Sequence, residues 1–123
     1  MSKQSIKIIV ISLTIFIMIG LFKSIFSENN SDELKTLVQN DAFLVDVRTP
    51  QEFAEGHVPG SVNIPLDEVS NQVSKFKNKS NIVVFCRSGN RSGQAKTILE
   101  QNGFTNVTNG GTWQNIKTLV DGK

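Results

Sequence analysis

The sequence predicts one small α/β domain, with helices on both faces of a parallel sheet, behind an N-terminal membrane-spanning helix. Three observations carry this. Short apolar runs of strand length alternate with stretches of helical periodicity. The links between successive runs are too long for hairpins, which calls for parallel strands. One segment near the N-terminus is apolar over far more residues than a strand needs.

Composition narrows the classes. At 123 residues the chain has room for one core. Thirteen Lys and Arg against 11 Asp and Glu leave a net charge of +2, no footprint for a nucleic-acid partner. A single Cys excludes an intrachain disulfide framework and a Cys-based zinc cluster. The charge is unevenly placed. Residues 1–27 hold Lys3, Lys7 and Lys23 and no acid, so the remainder is slightly acidic at −1.

Within Ile8 to Phe22, 12 of 15 residues are aliphatic, aromatic or Met. Extended to 6–26, the segment would rise about 31 Å as a helix, enough for a hydrocarbon core of about 30 Å, with Lys7 and Lys23 placed to snorkel. The rival reading is a cleaved secretory signal that would release the domain. Ala is absent from the first 27 residues and Ile25-Phe26-Ser27 is a poor cleavage site, so an uncleaved anchor is the expectation. Lys3 and Lys7 place the N-terminus in the cytoplasm and the domain outside. The resulting plan is a tail at 1–5, a membrane helix at 6–26, a linker at 27–31 and a domain at 32–123.

Within the domain, Ser31 can cap a helix carrying Leu34, Leu37 and Val38. Ala42 to Val47 reads as a strand. Thr49-Pro50-Gln51-Glu52 has the form of a capping box with Pro at the first helical position, so a short helix should start there and stop at Gly56. Ser61 to Ile64 is a second strand, and Leu66, Val69, Val73 and Phe76 mark a helix at spacings of 3, 4 and 3. Asn81 to Phe85 is the strongest strand, β-branched and apolar as one covered on both faces should be. From about Ser92, Ala95, Ile98 and Leu99 outline a helix ended by Gly103. Asn106 to Thr108 is a last strand, and Trp113, Ile116 and Val120 lie on a final helix.

In parallel sheets ligands bind beyond the carboxyl ends of the strands. After Phe85 the chain reads Cys86-Arg87-Ser88-Gly89-Asn90-Arg91-Ser92-Gly93, a polar loop that runs into a helix start. Backbone N–H groups in such a loop can converge on an anion, and the helix terminus and two arginines add positive charge. A thiol there should fall from about 8.5 towards the range of about 3.5–7.5 and react as a thiolate. A buried, inert Cys would call for apolar surroundings, which this loop does not supply.

The Cys86 to Ser92 segment resembles the active-site loop of rhodanese-type sulfurtransferases. Leu44-Val45-Asp46-Val47-Arg48-Thr49-Pro50-Gln51-Glu52-Phe53, followed by Gly56-His57-Val58-Pro59-Gly60-Ser61-Val62-Asn63-Ile64-Pro65, is similar to that family's upstream signature. The resemblance covers about residues 31–120. It implies a rhodanese-like parallel sheet flanked by helices, with Cys86 as the nucleophile that accepts a sulfane sulfur. Arg87, Ser88, Gly89, Asn90, Arg91 and Ser92 would bind substrate, with Arg91 helping to hold the donor. No cofactor is implied. The donor would be a small sulfur-containing anion such as thiosulfate, and the acceptor a thiol, a protein thiol or cyanide. Cysteine phosphatases and arsenate reductases are the rival chemistry, but they carry one residue more between Cys and Arg. A noncatalytic tethering or sulfur-carrier module at the membrane is the alternative from another class.

Three further polar residues have structural expectations. Asp46 and Arg48 should form a salt bridge or hold a turn at the strand end. His57, with no second His or Cys near it, reads as a turn residue and not as a metal ligand. Two features depart from the family pattern. No clear strand precedes the first helix, so the sheet either lacks an edge strand or forms it from Ser27 to Asn30. Trp113 also stands closer to Gly110-Gly111 than is usual, which leaves the packing of the last helix open.

Overall fold

Strand β3 (Ile82–Cys86) is buried at every position, and the sheet is assembled around it. The computed structural model describes residues 30–123. The expected tail 1–5, membrane helix 6–26 and most of the linker lie outside the described residues. Among the described residues no helix is long and apolar enough to cross a membrane. Leu34–Lys123 form one compact unit.

Four strands run parallel in the order β2-β1-β3-β4, with β1 at Phe43–Asp46, β2 at Val62–Asn63 and β4 at Val107–Thr112. Because strand side chains alternate, β3 feeds two cores. Ile82, Val84 and Cys86 join Val45, Ile64, Phe76, Ala95 and Leu99 beneath α3 (Asn90–Gln101). Val83 and Phe85 join Leu44, Val38 and Ile116 beneath α1 (Asn30–Gln39) and α4 (Trp113–Asp121). The expected two-sided parallel sheet is what forms.

Local signals explain the ends of the elements. Thr49 accepts the Glu52 N–H while Glu52 accepts the Thr49 N–H, a complete capping box at the start of α2 (Pro50–Glu55), and Gly56 follows its end. Helix α3 closes with Phe104 N–H on the Leu99 carbonyl and Gly103 N–H on that of Glu100, the Schellman pair, with Gly103 at φ 91°. The edge strand β2 is shorter than expected: Ile64 N–H still reaches the Asp46 carbonyl, but Leu66 N–H bonds to the very next carbonyl, that of Val47, so the regular ladder stops there as the chain turns into the segment from Leu66.

Two expectations need correction, the Ser31 cap and the Leu66 to Phe76 helix, while the open question of an edge strand narrows. Ser31 lies in the first turn of α1 and does not cap it, since the helix already includes Asn30. No strand precedes β1 among the described residues, and Asn30 is helical. The segment from Leu66 to Phe76 is not an α-helix but two 3₁₀ turns, Leu66–Asn71 and Val73–Phe76, separated by Gln72 at φ −123°. In a 3₁₀ turn residues i and i+3 eclipse, so Leu66/Val69 and Val73/Phe76 each form a stripe, and the spacing of 4 falls across the break. The same four residues still meet the core.

The departure at the last helix also resolves. Register slips between β3 and β4 where Val84 faces Asn109 but Phe85 faces Gly111, leaving Gly110 as the extra residue of a bulge. A Cβ on Gly110 would stand 2.8 Å from Val83 Cγ1 and 2.9 Å from Ile116 Cδ1, so α4 packs on this site only if it is glycine. Ile116, fully buried, fills the core, which frees Trp113 for the end of the sheet. Gly110→Ala should therefore lower stability by about 1–3 kcal/mol, the usual cost of overpacking, read as a lower urea midpoint at unchanged slope. An unchanged midpoint would contradict this packing.

Candidate active site

Cys86 is the last residue of β3, at the carboxyl end of the sheet, and its side chain is fully buried. Helix α3 begins at Asn90, earlier than expected, so the loop proper is only Arg87-Ser88-Gly89. A turn this tight needs a left-handed residue, and Gly89 supplies it at φ 93° as the N-cap of α3. Arg91 and Ser92 consequently stand in the first turn of the helix.

That geometry aims donors at the sulfur. The Gly89 N–H donates to Cys86 Sγ at 3.0 Å and the Ser92 N–H at 3.4 Å, while Ser92 Oγ lies 3.3 Å away. Burial alone pushes the thiol up. The Ser92 hydroxyl and the backbone N–H groups of Ser92, Ser88 and Gly89 outweigh it, and the net effect is a pKa below the ordinary thiol value. The positive charges anticipated from the two arginines are not the main cause. Ser92 Oγ has one proton and two acceptors, since it also donates to Asn109 Oδ1 at 2.7 Å. In the neutral form Sγ–H donates to Ser92 Oγ, which donates onward to Asn109. On ionisation the hydroxyl turns to the sulfur, and Asn109 Oδ1 keeps the Gly111 N–H at 3.0 Å.

Asn109 is the residue that sequence reasoning missed. Its Nδ2 donates to the Gly89 carbonyl at 3.0 Å, so one side chain ties the loop, the helix start and the β4 bulge together. Its only sequence signal was its place before two glycines.

The other expected residues separate into groups. Arg91 pairs with Glu52 through Nη1 at 2.6 Å and Nη2 at 3.0 Å and so braces α3 against α2. That guanidinium outweighs burial, and with help from Thr49 it draws the Glu52 carboxyl down to about 2. Arg87, Ser88 and Asn90 are exposed, and Arg87 makes no ion pair with a described residue. Asp46 and Arg48 form the expected salt bridge, buried, at 2.7 Å, and Arg48 also donates to the Gly56 carbonyl and lies 4.5 Å from the Trp113 ring centroid. His57 is a turn residue. Its Nδ1 is 2.9 Å from the Phe53 carbonyl and therefore carries the proton, and its ring stacks on Phe53. Among the described residues no cluster of His, Cys, Asp and Glu could hold a metal.

A cysteine caged by N–H groups at the end of a parallel strand is the site expected of a sulfurtransferase loop, and the chain belongs to the rhodanese-like domain family, whose model matches residues 30–112. It is a rhodanese-like sulfurtransferase. Among its relatives, the thiosulfate sulfurtransferase PspE of Escherichia coli (strain K12) is 40% identical over 74 residues, covering 58% of this chain and 71% of that protein. The thiosulfate sulfurtransferase GlpE of Pseudomonas aeruginosa is 36% identical over 76 residues, with 62% and 69% covered. A solved structure described as rhodanese with anions from E. coli superposes with a TM-score of 0.55 at 39% identity, covering 59% of this chain and 88% of that one.

Two outcomes check this site. Ser92→Ala should move the appearance of thiolate absorbance to higher pH, and with one Cys and no Tyr in the chain that signal is readily isolated against Cys86→Ser. Glu52 has a folded pKa below its ordinary 4.5, so it stabilises the fold above that value and the contribution fades as pH falls towards about 2. The stability gap between wild type and Glu52→Gln should accordingly be full at neutral pH and close in acid.

Proposed function

We propose that the chain moves a sulfane sulfur from thiosulfate through a Cys86 persulfide to a thiol. The observation that carries this is the convergence of the Gly89 and Ser92 N–H groups on a sulfur atom at the start of a helix. The Cys86 thiolate attacks the outer sulfur of thiosulfate. A new S–S bond forms to Sγ, the bond from that sulfur to the sulfite sulfur breaks, and sulfite leaves with the electron pair. Exposed Arg87 supplies the charge that meets the anion, and Arg91, braced by Glu52, positions the first turn of α3. An acceptor thiolate then takes the outer sulfur and returns Cys86 to the thiolate, a covalent ping-pong cycle. The names of PspE and GlpE support thiosulfate as donor.

We further propose that residues 6–26 anchor the domain on the outer side of a membrane, on the strength of their hydropathy and the flanking lysines. Protease added to intact cells should then remove the domain, whereas a cytoplasmic domain would survive.

Incubation of the full chain with thiosulfate alone should add the mass of one sulfur atom to the wild type and nothing to Cys86→Ser. Cyanide should then release thiocyanate and restore the original mass. No adduct from thiosulfate would overturn the proposed reaction.

A further inference from the structure

Beside the cysteine loop lies a second recognition element. Cys86 and Thr112 are register partners that end β3 and β4, and the residues that follow them, Arg87 and Trp113, line a cleft of about 260 Å³ together with Glu55, Gly56 and Gln114. Pockets for drug-sized ligands run from about 300 Å³ upwards, so this volume suits a molecule of amino-acid size. Arg48 and Glu52 also reach the cleft, but their charges are already answered by Asp46 and Arg91. Two charges remain. Arg87 and Glu55 are both exposed, of opposite sign, and without a side-chain partner among the described residues. Trp113 lines the same cleft, with Arg48 against its ring and Gly56 too close for a larger residue to fit without displacement.

We propose that this cleft selects the sulfur acceptor, and that the acceptor is a low-molecular-weight thiol bearing both a carboxylate and an ammonium group. The inference rests on the sulfurtransferase reading. Arg87 offers the fork that a carboxylate fits, and Glu55 receives the ammonium. A thiol with only one of these charges leaves the other cleft charge unanswered, and cyanide uses neither. Arg87 directly follows Cys86, so the cleft adjoins the strand end that carries the persulfide. Its thiolate attacks the outer sulfur of Cys86–S–SH. The new S–S bond forms on the acceptor, the bond to Sγ breaks, and its electron pair returns to Cys86, with no outside oxidant or reductant.

The test uses the full chain loaded with thiosulfate and then discharged by L-cysteine, mercaptopropionate, cysteamine or mercaptoethanol, with rates expressed per thiolate. L-Cysteine should exceed mercaptopropionate and cysteamine each by about tenfold in kcat/KM, the scale of one charge-assisted hydrogen bond, and mercaptoethanol, which lacks both charges, by more. Glu55→Gln should erase its advantage over mercaptopropionate, and Arg87→Gln its advantage over cysteamine. A flat profile across the four thiols, or advantages that survive both substitutions, would overturn the cleft proposal while leaving sulfur uptake intact. Failure to take up sulfur at all would overturn the parent reading instead.

Discussion

The carboxyl end of the sheet hangs on one buried ion pair. Asp46 is wholly buried, yet both its oxygens are used: Oδ1 accepts from the Arg48 backbone N–H and Nε, and Oδ2 from Nε and Nη2. Taking two charges out of water costs several kcal/mol per ion, so the pair is tolerable only because it is fully hydrogen-bonded; losing one partner typically costs about 3–5 kcal/mol. What it gains is position. Arg48 reaches the Gly56 carbonyl and the Trp113 ring, while Asn63 Nδ2 donates to the carbonyls of both Asp46 and Arg48. The ends of β1 and β2, the end of α2 and the start of α4 are thereby fixed around the strand that carries the thiol.

A similar economy governs the thiol. Desolvation opposes ionisation, and short, directed hydrogen bonds reverse the balance without a full positive charge in contact with the sulfur. Those bonds exist because a three-residue loop, a left-handed Gly89 and the Asn109 side chain leave the backbone little choice of path. Glu52 is used twice. It completes the cap of α2 and also grips Arg91, so a local helix signal doubles as a long-range brace for the catalytic helix.

Much of this was legible because it is local. The capping box at Thr49, the Gly103 stop and the apolar run of β3 are written in consecutive residues, and all three formed as read. Cys86 stood out because a thiol followed by arginines, serines and glycine is a chemical pattern within one loop. What escaped depends on register. Asn109 reaches the loop only because β4 pairs with β3, and Arg91 is ion-paired only because α2 brings Glu52 alongside. The 3₁₀ turns escaped for a different reason. A spacing of 3, 4 and 3 suits an α-helix as well as two eclipsed stripes with a break, and periodicity alone does not separate them.

The complete burial of Cys86 sets a limit on who can meet it. A disulfide needs Cα atoms within about 4.4–6.8 Å of each other, and Cys86 has no exposed surface while Arg87 and Ser88 beside it stand out into solvent. Two copies of this domain therefore cannot crosslink through Cys86 while the loop stays closed. A protein that exchanges sulfur with it has to offer its cysteine on a slender tip or an extended tail. The loop that makes the thiol reactive thus also shields it from indiscriminate pairing.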